Sequence, residues 1–243
     1  MNYKELYNSE KFIEREMIDA VFTQTQGIDI PIGVTESGLM SIPISDDNNV
    51  LVITGTGTVG KTTLVSYIAK QLYRNYGDNT DILVLDCDTE LADSDLISKV
   101  IDLPTDKVNI DICTKDNFCV GMDIIRDEMI TRMAVCDGFG DKSLEEYNDF
   151  VSKYTDGIDT FLHMVIIIDN LQDILPKLSD EERMDVSVLF KDIDNIGRKL
   201  KMSLVLVNPD NVDDFGKVIT LREIPGYAVI KINGSKEYFR FPY

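Results

Sequence analysis

The run Gly55-Thr56-Gly57-Thr58-Val59-Gly60-Lys61-Thr62 limits the possible folds of this chain more than any other feature. It satisfies the pattern G-x-x-x-x-G-K-S/T, directly after the apolar run Val50 to Thr54 and directly before a helical pattern. Such a loop turns successive backbone N–H groups inward onto an anion, in conformations a side chain would obstruct, which is why glycine recurs. The helix behind it adds unpaired N–H groups and the positive end of its dipole. In this arrangement Lys61 supplies a point charge to the β and γ phosphates, the Thr62 hydroxyl is placed to ligate Mg²⁺, and Thr63 helps to close the loop. The expected ligand is ATP with magnesium, held by Gly55, Thr56, Gly57, Thr58, Val59, Gly60, Lys61, Thr62 and Thr63.

The rest of the chain reads as strands alternating with helices around that loop. Residues 3 to 22 place Tyr3, Leu6, Tyr7, Phe12, Ile13, Met17, Ile18, Val21 and Phe22 at roughly helical intervals, so 1–26 reads as an N-terminal amphipathic helix segment and 27–243 as the main domain. Gly27, Pro31, Gly33 and Gly38 punctuate the approach to a short strand, Leu39 to Ile44. After the loop, Leu64, Val65, Ile68, Ala69, Leu72 and Tyr73 outline a helix that Gly77-Asp78-Asn79 stops. Ile82 to Leu85, Met164 to Ile168 and Ser203 to Val207 are further buried strands, and Ser179 with Glu182 has capping-box spacing ahead of another amphipathic helix. Tyr227 to Ile232 and Lys236 to Phe241 flank Asn233-Gly234, the signal of a tight hairpin. The stretch 105 to 160 has no sustained period. The expected fold is α/β, with a mainly parallel sheet flanked by helices and a C-terminal β-hairpin.

A magnesium nucleotide site needs a carboxylate at the end of a neighbouring strand. Asp169, which ends Met164 to Ile168, fits that role, and Asp86, with Asp88 and Glu90 beyond it, competes from the end of Ile82 to Leu85. Asn208 follows the strand Ser203 to Val207, where it could sense the γ-phosphate or simply form a strand-to-turn Asn-Pro. His163 has no Ser or Cys nucleophile pattern beside it and reads as a packed or solvated histidine, and Cys87 as a small core residue.

Composition removes several functions. A net charge of −19 opposes the clustered Lys and Arg that neutralising a DNA backbone requires, so nucleic acid is not the expected partner. Cys87, Cys113, Cys119 and Cys136 lack paired C-x-x-C spacing and have only His163 to complete a metal site, which argues against zinc. No apolar run approaches the roughly 20 residues that span a bilayer, and the start MNYKELYNSEKF has no secretory pattern, so a cytoplasmic placement is expected.

Ile30-Pro31-Ile32-Gly33-Val34, the loop Gly55 to Thr62, Ile166-Ile167-Ile168-Asp169-Asn170-Leu171-Gln172-Asp173 and the closing Pro225-Gly226-Tyr227-Ala228-Val229-Ile230-Lys231-Ile232-Asn233-Gly234 together resemble the P-loop ATPase domains of the FtsK/SpoIIIE family. They are most similar to the last ATPase domain of type VII secretion proteins of the EssC/EccC class, from about Ile30 to Tyr243. The resemblance implies a RecA/FtsK-like fold and a soluble C-terminal part of a longer, membrane-anchored motor at the cytoplasmic face of the membrane, in which Met1 need not be a native start. It implies as partners the other ATPase domains of the same chain, small helical secreted proteins of the WXG100 type, and further copies in the full assembly. It also implies a role in substrate recognition.

One departure from the family pattern bears on chemistry. Active FtsK-like motors carry a glutamate immediately after the aspartate that ends this strand, and here that position is Asn170. An amide orients water but cannot take its proton, so a general-base contribution of about 10²- to 10⁴-fold is expected to be missing and hydrolysis to be weak or absent. Glu90 is the alternative base, from the neighbouring strand end. An arginine finger is a family expectation, with Arg198, Arg222 and Arg240 unranked. Two other readings remain: an active ParA/MinD-like ATPase, suggested by Val59 to Thr63 and the acidic stretch Asp86 to Asp95 but lacking that class's lysine at Thr56, and an FtsK-like DNA translocase.

Overall fold

A computed structural model describes residues 3–8, 29–44, 49–56, 60–77, 80–87, 108–112, 115–155, 157–158, 160–209, 215–224, 226–232 and 234–241. Its strands are β1 (Asp29–Val34), β2 (Leu39–Pro43), β3 (Val50–Thr54), β4 (Thr80–Asp86), β5 (Val108–Ile112), β6 (His163–Asp169), β7 (Met202–Val207), β8 (Lys217–Leu221), β9 (Tyr227–Ile232) and β10 (Ser235–Arg240). The helices are α1 (Tyr3–Asn8), α2 (Lys61–Tyr76), α3 (Lys115–Gly138), α4 (Leu144–Tyr154), the short α5 (Leu171–Ile174) that runs into a 3₁₀ turn, and α6 (Asp180–Leu200).

The strands form one sheet in the order β2-β1-β10-β9-β8-β3-β7-β6-β4-β5. From β8 to β5 every pairing is parallel, and from β8 to β2 every pairing is antiparallel. The sheet is therefore mixed, which corrects the expectation of a mainly parallel one. The parallel half follows from strand-helix alternation, whereas the chain beyond β8 returns directly through β9 and β10 with no helix between them.

Alternate residues of the parallel strands divide between two apolar clusters, as the two-residue period of a strand requires. Leu51, Ile53, Val165, Ile167, Val205 and Val207 meet Leu64, Ile68 and Leu72 of α2. Val50, Val52, Ile166, Ile168, Leu204 and Leu206 meet Phe118, Met122 and Ile125 of α3 and Val186, Leu189 and Ile193 of α6. The strand runs are apolar throughout because both faces are covered.

Several elements differ from the expectations set by the sequence. Pro31 and Gly33 act within β1 instead of breaking the chain: the register with β2 shifts between them, and β1 meets β10 at Val34↔Arg240. A Cβ on Gly33 would fall on the carbonyl oxygen of Arg240, so glycine is required for the close crossing. The stretch 105 to 160 contains β5, α3 and α4. Its helical period is blurred because α3 is apolar outside as well as inside: Phe118, Met122, Ile125 and Met129 are buried, while Val120, Ile124 and Ile130 face outward. The Ser179–Glu182 capping box is present, with Glu182 N–H donating to Ser179 Oγ at 3.2 Å and Ser179 N–H donating to Glu182 Oε2 at 2.6 Å. A second box, Ser143–Glu146, starts α4. Of the helix expected over 3 to 22, α1 covers 3–8 and the remainder lies outside the described residues.

Hydrogen bonds fix the entry to β3 from below. Lys217 Nζ donates to the Pro43 carbonyl at 2.5 Å, Ser203 Oγ to the Ile44 carbonyl at 2.7 Å, and Asn49 Nδ2 to the Asp194 carbonyl at 3.3 Å. The strand that leads to the phosphate loop is thus anchored to β7, β8 and α6.

Candidate functional site

All six central strands run the same way, so their C-terminal ends share one edge. β3 delivers Gly55 there, β7 delivers Asn208, β6 delivers Asp169 and Asn170, and β4 delivers Asp86 and Cys87. The residues singled out in the sequence for phosphate, metal and γ-phosphate contact therefore lie towards one edge, with the exception of Gly57, Thr58, Val59, Asp88 and Glu90, which lie outside the described residues.

Gly60 caps α2 with φ 89°, a left-handed backbone that favours glycine, and Leu64 N–H donates to its carbonyl at 2.9 Å. Lys61 and Thr62 then occupy the first turn of α2. Lys61 Nζ donates to the Gly55 carbonyl at 3.1 Å. The ammonium group thus lies beside Gly55 near the N-terminus of α2, where an anion is favoured.

Asp169 and Asp86 are register partners across β6 and β4, and both carboxylates are buried. The strand order sets them at different distances from the loop strand. β7 alone stands between β3 and β6, so Asp169 lies two strand spacings from the loop strand, about 10 Å, and Asp86 lies a third spacing away. Asp169 is therefore the carboxylate on the strand nearer to β3. The donor set, a hydroxyl and a carboxylate, is all oxygen and sparse, as Mg²⁺ prefers when phosphates and waters complete its octahedron.

Asn208 ties the two halves of this edge together. It adopts φ 49°, is buried, and its backbone N–H donates to the Ile53 carbonyl at 2.9 Å. It thereby stands between the phosphate loop and Asp169.

Asn170 is buried beside Asp169 and begins α5. Its Nδ2 donates to Asp173 Oδ2 at 2.9 Å, and Asp173 N–H donates to the Asn170 carbonyl at 3.1 Å. Its side-chain Oδ1 is buried with no hydrogen-bond partner among the described residues, which leaves an acceptor for a water. Sequence reasoning assigned Asp173 no role, although the Asn-x-x-Asp spacing at a helix start was there to find.

The remaining candidates lie elsewhere. His163 opens β6 at the opposite edge, buried, with Nε2 2.9 Å from Ser203 Oγ. Burial, aided by the charges of Lys201 and Arg132, holds its pKa at about 3, so it is neutral and structural. Arg198 lies near the C-terminal end of α6 and belongs to the same lower edge. Arg222 and Arg240 belong to the upper edge, beyond β8, where the guanidinium of Arg222 lies 5.5 Å from the centre of the Tyr238 ring and that of Arg240 lies 4.7 Å from that of Tyr227. Cys87 is buried.

No family model matches the chain, and no curated protein matches it. Solved structures do. The cytoplasmic domain of the Thermomonospora curvata type VII secretion ATPase EccC superposes with a TM-score of 0.71 at 16% identity, covering 92% of this chain and 30% of that one. The conjugation coupling protein TcpA of pCW3, a monomer form with ATPγS, gives 0.68 at 17% identity, covering 92% and 68%. The chain shares the fold of these ATPase domains. ATPases 2 and 3 of Thermomonospora curvata EccC in complex with a signal sequence peptide give 0.64 at 12% identity, covering 96% and 43%. This chain thus spans less than half the length of either EccC chain. Among its described residues no helix is long and apolar enough to cross a membrane.

Proposed function

We propose that this chain is a Mg-ATP-binding domain of a type VII secretion motor that binds nucleotide and turns it over slowly, acting in substrate recognition or in regulation of export. The observation that carries the reading is the order β3-β7-β6 with Lys61, Asn208 and Asp169 at one edge, in a fold shared with EccC.

The residues divide the work by their chemistry. Backbone N–H groups of the loop and of the first turn of α2 would hold the phosphates, with the Lys61 ammonium adding charge where the β and γ oxygens lie. Thr62 and Asp169 would hold Mg²⁺, which supplies neutralisation of phosphate charge. Asn208 would sense the γ-phosphate. Asn170 Oδ1 can accept a hydrogen bond from a water and orient it, but the amide cannot take the proton, so positioning is retained without a general base.

The chain would then be the C-terminal part of a longer, membrane-anchored protein at the cytoplasmic face, with 1–26 as an N-terminal helical segment and 27–243 as the ATPase-like domain. Its partners would be the other ATPase domains of that protein, small helical secreted proteins of the WXG100 type, and further copies of itself. The resemblance in fold to TcpA raises DNA translocation as a second reading, which the net charge of −19 opposes. Titrating the chain with small helical secreted proteins and, separately, with duplex DNA over a range of salt decides between them. Saturable binding of a secreted protein supports export. Tight DNA binding that weakens steeply with salt overturns it.

A further inference from the structure

Asn208 and Asp169 both lie on the β7–β6 side of the loop strand, so the γ-phosphate and metal end of a nucleotide is directed to that side. A nucleoside triphosphate is a linear molecule with its base at the other end. The side of β3 that carries β8 and β9 is then the side left for the base.

The upper edge on that side carries an arginine–tyrosine cluster. Thr54 is level with Thr220, Thr220 with Val229, and Val229 with Tyr238, so Tyr238 stands at the height of the last residue before the phosphate loop. The Arg222 guanidinium lies 5.5 Å from the centre of its ring. Next to them Arg240 lies over Tyr227 and donates from Nη1 to the Tyr7 carbonyl at 3.2 Å, while Tyr7 meets Tyr227 edge-on at 6.1 Å between ring centres. The inner pair, Arg240 and Tyr227, therefore anchors α1. The outer pair faces solvent instead, with Arg222 exposed and Tyr238 51% exposed. An exposed cation–π pair contributes about 0.5–1 kcal/mol to a fold, whereas guanidinium planes and tyrosine rings are surfaces on which nucleobases stack.

The geometry points to Arg222 and Tyr238 as the platform for the base of the bound nucleoside triphosphate, a subsite separate from the phosphate loop. This rests on the nucleotide-binding reading above. It makes the base a source of affinity beyond the phosphates and places it beside the cluster that anchors α1, so that α1 lies next to the bound nucleoside.

The test compares ATP with inorganic triphosphate, both with Mg²⁺, for the wild-type chain, Lys61→Ala, Tyr238→Ala and Arg222→Lys. The arginine variant keeps the charge and loses the planar stacking surface. Stacking on a side chain changes affinity by about 5- to 100-fold per base, so Tyr238→Ala and Arg222→Lys should each weaken ATP by about tenfold while leaving triphosphate unchanged. Lys61→Ala should weaken both ligands. Equal loss of both ligands in the platform variants, no loss of either, or a wild-type chain that binds ATP no better than triphosphate overturns the platform alone. Failure of the wild type to bind either ligand overturns the nucleotide-binding reading and the platform together.

Discussion

The side-chain amide of Asn170 donates to the carboxylate of Asp173 at 2.9 Å. The position that follows Asp169 is therefore tied to an acid one turn further on, and its other side-chain atom, Oδ1, is left as an acceptor. This pair decides how the site should respond to repair.

Asn170→Glu would remove the amide that donates to Asp173 and set two carboxylates against each other, and this repulsion turns the new group away from the position a water would need. The rate of phosphate release from ATP should rise modestly in Asn170→Glu and further, towards the 10²- to 10⁴-fold typical of a general base, in Asn170→Glu with Asp173→Asn. A rapid wild-type rate that Glu90→Gln abolishes would instead assign the base to the residues beyond β4.

Arg132 holds the lower edge of the sheet together. It is buried, its Nη1 donates to the carbonyls of Leu162, Leu200 and Lys201 at 3.0, 2.9 and 3.1 Å, and its Nε pairs with Glu128 at 2.6 Å. It thus caps the C-terminus of α6 while fixing the start of β6. Arg132→Met removes the donor from three carbonyls and should cost about 3 kcal/mol, read as a lower midpoint in urea unfolding.

His163 gives the fold a pH dependence. Its folded pKa of about 3 lies below the value of 6.5 for a free side chain, so between these limits the unfolded chain binds the proton and the folded chain does not. The contribution is complete above pH 6.5 and is lost as pH falls towards 3. Between pH 7 and 5.5, stability should fall with decreasing pH more steeply in the wild type than in His163→Gln, as measured by chemical denaturation at each pH.

Gly33 tests the crossing of β1 over β10. Gly33→Ala places a methyl group on the Arg240 carbonyl, where backbone meets backbone and neither side chain can move aside. A loss of about 1–3 kcal/mol in unfolding free energy is expected.

What the sequence made legible follows the physics of each element. β3, β6 and β7 were visible because a strand covered on both faces must be apolar at every position, and α2 was visible because its apolar residues recur at helical intervals behind Gly60. α3 was hidden because Val120, Ile124 and Ile130 are apolar on its outer face, which erases the contrast that reveals a helix. β1 was hidden because Pro31 and Gly33 signal a turn locally, and only contact with Arg240, more than 200 residues away in sequence, gives them a place in a sheet. Which of Asp86 and Asp169 lies on the strand nearer β3 depended on strand order, which no local pattern encodes.

The central claim, that the edge formed by β3, β7 and β6 holds Mg-ATP, is tested most directly by calorimetric titration of the wild-type chain and of folded Lys61→Ala with ATP and magnesium. Saturable binding by the wild type, weakened at least tenfold in Lys61→Ala, is the predicted result. Equal affinity in the two proteins, or no binding by a wild-type chain shown to be folded, would contradict it.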